Sequence, residues 1–172
     1  MNLKLDLHVH FHEAIGFMPL TDEMVAELIA TIKTRGLDGV AITDHNGYDT
    51  DLAYRVKEIV ERDFSEKTLI IPGQECDAGS EHVVELFLPN DRIFRFLAHP
   101  NHLPVDDSVI DSIQGIEIKN GQYGINKAAV EEFAEKHDLL MLSNSDAHRM
   151  ARIGSYYNEI DLDDLLKRAV NR

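Results

Sequence analysis

Short apolar runs alternate with amphipathic segments along most of the chain. Runs that are rich in Val, Ile and Leu predict strands, and segments with apolar residues at helical spacing predict helices. The predicted strands are 3–7, 39–43, 68–72, 115–119 and 139–143. The predicted helices are 21–35, 51–64, 126–137 and 161–170. Strands that alternate with helices in this way favour a mainly parallel sheet.

The middle of the chain departs from this alternation. The apolar runs 82–88 and 93–98 are separated only by residues 89–91, which form a Pro-Asn-Asp turn sequence. We therefore expect two neighbouring strands with no helix between them, and then a short helix after Asp106. With about seven strands, an α/β chain of this size can close as a compact barrel or stay open. No linker or repeat divides the chain, so residues 1–172 are expected to form one domain.

Composition and charge limit the possible partners. The formal net charge is -14, and an acidic surface repels long DNA or RNA, whereas a small phosphorylated substrate stays compatible with it. No apolar run has the length of a membrane span, and the N-terminus lacks a signal-peptide pattern. The single cysteine, Cys76, excludes an intrachain disulfide. A cytoplasmic protein without membrane contact is expected, and the sequence does not predict its oligomeric state.

Histidines and carboxylates follow almost every predicted strand. Ligands collect where the carboxyl ends of parallel strands meet, at one edge of a sheet or barrel. Side chains from different strands are therefore expected to converge there as a polynuclear metal site that is suited to hydrolysis. The candidate metal ligands are His8, His10, His45, Glu75, His99, Asp146 and His148.

The spacing of these residues supports shared metal ions. His8 and His10 are alternate residues at a strand end, so both imidazoles can reach one ion. Asp146 and His148 repeat this spacing. Glu75 follows a buried strand, where an unpaired carboxylate is costly, and its two oxygens can bridge two cations.

Other polar residues at the strand ends have open alternatives. His45 can bind a metal or transfer a proton, and the adjacent Asp44 is expected to orient an imidazole. His12 is a possible extra ligand. Asn120 binds metals weakly, so it can instead orient a water or the substrate. His82 is interpreted as an ordinary strand histidine outside the site.

Cationic side chains near the predicted site are candidates for phosphate binding. Lys119, Arg149 and Arg152 follow ligand-bearing strands, and cations of this kind bind phosphate oxygens by charge-assisted hydrogen bonds. Solvated surface charges are the alternative interpretation for all three.

The polar segments, in this order, resemble the PHP (polymerase and histidinol phosphatase) family of metal-dependent phosphoesterases. The segments are DLHVH at 6–10, ITDH at 42–45, GQE at 73–75, AHP at 98–100, GIEIKNG at 115–121 and SDAH at 145–148. The resemblance implies a distorted, TIM-like (β/α)7 barrel with two or three divalent metal ions, which are Zn, Mn or Fe. It also implies that Glu75 bridges metals and that His45 lies at a third metal or at a catalytic position.

Two positions depart from the full trinuclear pattern of this family. Members with three metals have a histidine where Asn120 stands here, and after the first motif either His12 or Glu13 can serve as a ligand. The number of metals therefore stays open between two and three.

The expected function is hydrolysis of a small phosphomonoester by a metal-activated hydroxide, as in histidinol phosphatases. His45, Glu75 and Asp146 are the expected catalytic residues, and Asn120, Lys119 and Arg149 the expected substrate-binding residues. The alternatives are a phosphodiesterase or nuclease that acts on short nucleotides, a non-catalytic metal-binding PHP module, and an amidohydrolase.

Overall fold

The computed structural model describes residues 2–64 and 68–171. Its strands are β1 Leu3–Val9, β2 Gly39–Ile42, β3 Leu69–Ala78, β4 Glu81–Leu88, β5 Arg92–Ala98, β6 Gly115–Asn120, β7 Leu140–Asn144, β8 Asn158–Ile160 and β9 Val170–Asn171. Its helices are α1 Phe11–Ala14, α2 Asp22–Thr34, α3 Leu52–Asp63, α4 Asp107–Ile110, α5 Lys127–Lys136 and α6 Leu162–Arg168, with a 3-10 helix at Met150–Arg152.

Strands β1 to β7 lie side by side in chain order, with β8 beyond β1 and β9 beside β5. The β1–β2, β2–β3, β5–β6 and β6–β7 pairs are parallel. The β3–β4 and β4–β5 pairs are antiparallel, as the turn sequence between two apolar runs predicts. The sheet is therefore mixed in direction, and less parallel than the helix–strand alternation indicates.

Side chains bring the two ends of this sheet together. Asn144 at the end of β7 accepts a hydrogen bond from the backbone N–H of Leu7 in β1 at 3.1 Å. Asp6 of β1 accepts from the N–H of Ser145 at 3.1 Å, and the N–H of His10 donates to the carbonyl of Ala147 at 3.0 Å. The seven strands thus form a nearly closed, distorted barrel, and the predicted fold class is confirmed.

Apolar residues fill the barrel and both outer layers. Leu7, Leu86 and Phe94 belong to the cluster in the interior. Helices α2 and α3 pack outside β1 to β3 through a second cluster, and α5 packs outside β5 and β6 through a third. The site is therefore carried by strands that are fixed by packing on both faces.

The predicted helices are confirmed, and side chains cap the starts of two of them. Thr21 accepts from the N–H of Met24 at the start of α2, and Asn126 accepts from the N–H of Ala129 at the start of α5. None of the helices among the described residues is both long and apolar enough to cross a membrane.

Strand β3 is longer than the predicted segment 68–72. It continues to Ala78 because β4 pairs with it from Gly73 onwards. Glu75 consequently lies within a strand rather than after its end. The pattern also missed α1, the 3-10 helix, β8 and β9, which are all four residues long or shorter.

Candidate metal centre

A break in the regularity of β1 positions its two histidines. The pairing of β1 with β2 shifts register between Asp6 and Val9, as at a β-bulge, which re-aims the side chains that follow. Leu7 packs in the barrel interior, and the next residue, His8, is also fully buried. His10 is fully buried as well, and its Nε2 lies 3.1 Å from Nε2 of His8.

Glu75 lies at the centre of the histidines. Its Oε1 is 3.1 Å from Nε2 of His99 and 3.1 Å from Nδ1 of His82. Its Oε2 is 3.1 Å from Nδ1 of His45 and 3.4 Å from Nε2 of His10. One buried carboxylate thus contacts imidazoles from four different segments, which is the arrangement expected of a bridging ligand.

Potential ligand atoms in the described part of the chain gather into three groups, and within each group they lie within 4.8 Å of one another. The groups are His8, His10 and Asp146; Glu75, His82 and His99; and His10, Glu13, His45 and His148. All seven predicted ligands lie in these groups, so the structure brings together the residues that the sequence places at separate strand ends.

Buried groups in the first cluster lack partners that a cation would supply. The Oδ1 atom of Asp146 is buried and accepts no hydrogen bond, although Nε2 of His10 is only 3.2 Å away. The Nε2 atoms of His8 and His10 lie 3.1 Å apart and converge with the carboxylates of Glu75 and Asp146 on one small volume. Imidazoles and carboxylates together suit Zn, Mn or Fe. The residues present therefore fit the divalent ions that the resemblance implies.

The strand-end backbone at two of these residues is strained. His99 has φ 30 and Asp146 has φ 49, a left-handed region that residues other than glycine seldom occupy. Such strain persists only where surrounding contacts impose it, and it is common at functional sites. It turns both side chains inward immediately after β5 and β7.

The third group contains Glu13 and not His12. Oε1 of Glu13 lies 3.8 Å from Nε2 of His45 and 3.8 Å from Nε2 of His148. His12 turns away, and its ring contacts Phe17 at 5.0 Å between centroids. Of the two candidates after the first motif, the short helix α1 therefore presents the carboxylate to the cluster.

His82 was not predicted as a site residue. Its Nδ1 lies 3.1 Å from Glu75, and its ring centroid is 5.0 Å from that of His99. The interpretation of His82 as an ordinary strand histidine outside the site is therefore wrong, because its ring lies against Glu75 and His99. The strand pattern contained a usable signal. Alternate residues of a strand lie on the same face, so His82 is on the face of Val84 and Leu86, which point into the barrel.

Glu117 is the second residue that sequence reasoning missed. It is completely buried in β6, and its Oε1 accepts from Nδ1 of His8 at 3.1 Å and from Nδ2 of Asn144 at 2.8 Å. Its Oε2 accepts from the backbone N–H of His99 at 2.8 Å and from Nδ2 of Asn120 at 2.8 Å. Glu117 thereby fixes the ring of His8 so that Nε2 faces the cluster. The sequence did contain a signal for Glu117, because a charged residue between Ile116 and Ile118 in a predicted strand has to face a polar site or solvent.

Burial and neighbouring charges set the protonation of the first cluster. Burial opposes a charged ring, but the carboxylates of Glu117 and Glu75 outweigh it and raise the pKa of His8 well above its ordinary value. Burial lowers the pKa of His10 to about 4. Burial also works to raise the pKa values of Glu75 and Asp146, but contacts with the histidines dominate and lower both. In the metal-free site these shifts favour the ionised forms of Glu75 and Asp146 and the protonated form of His8.

Asp44 has a different partner from the one predicted. Its Oδ1 accepts from the backbone N–H of His12 at 2.8 Å, so it holds the start of α1 rather than an imidazole ring. Its other oxygen is buried without a hydrogen bond. Burial raises the pKa of Asp44 to about 7.

The predicted substrate-binding cations lie in different places. Arg149 and Arg152 line a cavity of about 530 Å³ together with His148 and Gln122. The ammonium of Lys119 instead lies 4.1 Å over the ring of Tyr156. Arg149 and Arg152 thus share a cavity with one of the predicted ligands, and Lys119 does not; phosphate binding stays a prediction for all three.

Comparisons with known proteins agree with this geometry. A family model described as PHP-associated matches residues 124–169. A structure from Bifidobacterium adolescentis, of a protein proposed to be a metal-dependent phosphoesterase, has a TM-score of 0.72 and 14% identity, and the match covers 97% of this chain and 96% of that chain. The resemblance to the PHP family is confirmed.

Two further structures share the fold of this chain. PsfC from Pseudomonas syringae PB-5123 has a TM-score of 0.67 at 15% identity, over 89% of this chain and 79% of that chain. An amidohydrolase from Chromobacterium violaceum has a TM-score of 0.62 at 14% identity, over 97% of each chain. No curated protein sequence matches the chain.

Asn120 marks where this chain departs from the full trinuclear PHP pattern. Its amide nitrogen donates to Glu117 at 2.8 Å and to Asp146 at 3.2 Å. Its oxygen accepts from the backbone N–H groups of Gln122 and Tyr123. Every hydrogen-bonding position of the amide is therefore taken, which favours a role in holding Asp146 over direct contact with substrate. In the described chain, His82 completes the group around Glu75 that Asn120 does not join.

Proposed function

We propose that this chain is a metal-dependent hydrolase that cleaves a small phosphomonoester. The observation that carries the proposal is the position of Glu75, which lies within 3.6 Å of imidazoles from all three ligand groups. A carboxylate shared in this way favours one polynuclear centre over three separate ions.

Each ligand group has a distinct role in this proposal. His8, His10 and Asp146 would hold one ion, and Glu75, His82 and His99 a second. Glu13, His45 and His148 would hold a third. When bound, divalent ions supply positive charge that polarises a phosphoryl oxygen and acidifies a water molecule.

The protein's own groups position the reactants. Glu117 keeps His8 in the tautomer whose Nε2 faces the cluster, and Asn120 keeps Asp146 in place through the bond at 3.2 Å. His45 is about one-third exposed, so it faces solvent where a leaving group departs. Its predicted proton transfer stays a prediction beside its role as a ligand.

The cavity beside His148 supports phosphate as the group that is recognised. Arg149 and Arg152 line it, and planar guanidinium groups bind phosphate oxygens in pairs. The Chromobacterium violaceum structure holds a sulfate, a tetrahedral dianion of similar shape, which is consistent with anion binding on this fold.

The likeness in fold to the Chromobacterium violaceum amidohydrolase favours a second candidate function, which is amide hydrolysis. A centre that activates water for attack on phosphorus can also activate it for attack on a carbonyl carbon. The two candidates differ in the need for cations near the site, because an amide substrate carries no phosphate for Arg149 to bind.

The test combines elemental analysis of the purified protein with a screen for phosphate release across Zn, Mn and Fe. We expect turnover of p-nitrophenyl phosphate and of sugar, nucleotide or histidinol phosphates. Preference for bis(p-nitrophenyl) phosphate would instead indicate the phosphodiesterase. Bound metal without turnover of any phosphoester or amide would indicate the non-catalytic module.

Asp146→Ala provides the matched variant. Because Asp146 accepts a hydrogen bond only from Asn120 on its second oxygen, its loss should leave the fold intact while removing a ligand. We expect phosphate release to fall by more than about a hundredfold with the circular dichroism spectrum unchanged. Near-normal phosphatase activity in this variant would contradict the proposal.

A further inference from the structure

A cavity of about 250 Å³ lies beside His45, separate from the cavity that Arg149 and Arg152 line. Its polar lining comes from the connection between β2 and α3 and from β3. The polar residues of the lining are Asp44, His45, Asn46, Asp49, Thr50, Asp51 and Gln74. No lysine or arginine of the described chain belongs to the lining. The cavity is therefore acidic and rich in oxygen atoms, and it meets the third ligand group only through His45.

Asp44 supplies this cavity with a buried oxygen that has no partner. The residue is 7% exposed, and its Oδ1 accepts from the backbone N–H of His12 at 2.8 Å. Its Oδ2 is buried and accepts no hydrogen bond. A buried carboxylate oxygen that faces neither a donor nor a cation is costly. A positively charged group in the cavity would remove this cost.

The positive charge near the cavity offsets only part of its negative charge. Asp49 is ion-paired with Arg55, and its Oδ1 accepts from the backbone N–H of Asp51 at 3.1 Å. The side chain of Asp51 caps no N–H of α3. The start of α3 contributes about half an elementary charge. One arginine and this half charge leave the three ionised carboxylates with a net charge of about -1.5.

The donor atoms favour a different cation from the ions of the ligand groups. Carboxylate, amide and hydroxyl oxygens suit Mg²⁺, whereas imidazole-rich groups suit Zn, Mn or Fe. The three carboxylates are absent from the sets of described residues whose ligand atoms lie within 4.8 Å of one another, so a bare ion cannot contact all of them. Mg²⁺ keeps several of its waters and binds through one or two carboxylates. Since a water takes about 30 Å³ of liquid, the cavity has room for such an ion.

We propose that this cavity binds a hydrated Mg²⁺ ion, with Asp44 and Asp51 as its principal charged partners. This ion is additional to those of the three ligand groups. It joins the end of β2 to the start of α3 and so holds the segment that carries His45. The inference goes beyond the proposed hydrolysis, because Mg²⁺ binding at this cavity needs no substrate.

The experiment is calorimetric titration of MgCl2 into protein whose ligand groups have been saturated with Zn²⁺ and which has then been dialysed. It compares the wild type with Asp44→Asn and Asp51→Asn, since asparagine at position 44 keeps an acceptor for the N–H of His12. Glu61→Gln is the matched control. It removes one negative charge from α3, where Glu61 pairs with Lys57 at 3.9 Å outside the cavity. Zinc content and melting temperature are measured for every variant, so that damage to the fold or to the ligand groups is recognised.

We expect the wild type to bind a single Mg²⁺ ion per chain. The Kd for Mg²⁺ should rise about tenfold or more in each asparagine variant, with zinc content unchanged. The control should keep the wild-type Kd. MgCl2 should also raise the melting temperature of the wild type, whereas KCl at the same ionic strength should not, because screening of surface charge depends on ionic strength alone.

A Kd for Mg²⁺ that is equal in the wild type and both asparagine variants overturns the inference. A Kd that rises more in Glu13→Gln than in Asp51→Asn assigns the ion to the third ligand group and overturns it as well. If the wild type binds no Mg²⁺, the inference also fails, and a proton neutralises Asp44 in line with its raised pKa. None of these measurements involves phosphate release, so the proposed function stands or fails separately.

Discussion

Replacement of Glu117 by Gln tests how the buried carboxylate prepares the metal centre. All four partners of Glu117 are donors, namely the side chains of His8, Asn120 and Asn144 and the backbone N–H of His99. An ionised carboxylate can accept from all of them, whereas a glutamine amide replaces one accepting oxygen with two donors. At least two of the four hydrogen bonds are therefore lost in the variant.

The size of the effect follows from this count. A buried hydrogen bond to a charged group contributes about 1.5–3 kcal/mol, so the loss of two lowers the free energy of unfolding by about 3–6 kcal/mol. For a chain of this size that corresponds to a melting temperature roughly 10 °C lower. Loss of the partner that orients His8 should weaken metal binding about 10- to 100-fold.

The assay is calorimetric titration of Zn or Mn into metal-free protein, together with thermal unfolding. Glu85→Gln is the control, because Glu85 also accepts two side-chain hydrogen bonds, from Gln74 and Arg95 at 2.7 Å each, but touches no ligand. The control should lose some stability and keep wild-type metal affinity. Wild-type metal affinity in a folded Glu117→Gln protein would refute the reasoning.

Three further predictions concern the ligands, their protons and the barrel. His82→Ala should lower the number of bound ions per chain, measured by elemental analysis. His137→Ala should not, because His137 follows α5 and belongs to none of the ligand groups. Equal metal content in both variants would remove His82 from the site. Because the pKa of His8 is raised in the metal-free protein, metal binding near neutral pH should release on the order of one proton from it and become tighter as pH rises. Calorimetry in two buffers of different protonation enthalpy measures this release, and an affinity independent of pH would contradict it. Asn144→Ala removes the acceptor for the N–H of Leu7 and a donor to Glu117, so the free energy of unfolding should fall by about 2–4 kcal/mol in urea titrations, and a loss below about 0.5 kcal/mol would show that the barrel does not depend on this closure.

Much of the fold and of the site followed from the pattern along the chain. The predicted ligands were found because parallel strands deliver their carboxyl ends to one edge, a rule that needs no knowledge of register. His82 escaped that rule because β4 runs antiparallel and presents its first residues, rather than its last, to the mouth of the barrel. Alternation along β4 shows that His82 faces the interior, but only the pairing in the sheet shows that it lies at the mouth.

The sequence pattern did not predict Glu117 and Glu13 as site residues, for different physical reasons. Glu117 lies in the middle of β6 between Ile116 and Ile118, which pack in the outer cluster, so alternation turns it to the interior, but it lies before the strand end where ligands are expected. Glu13 depends on α1, a single turn of helix whose start is held by Asp44 from a distant segment. One turn of helix is too short to leave a periodic signal in the sequence, whereas the alternation around Glu117 was readable but did not show what its carboxylate contacts.

The central claim is that Glu75 joins the three ligand groups into one polynuclear metal centre. The most direct measurement is the number of divalent ions bound per chain, by elemental analysis after dialysis, in the wild type and in Glu75→Gln. We predict two or three ions in the wild type and the loss of more than one in the variant, since Glu75 contacts imidazoles of every group. A wild type that binds one ion or none, or a variant that loses none, would contradict the claim.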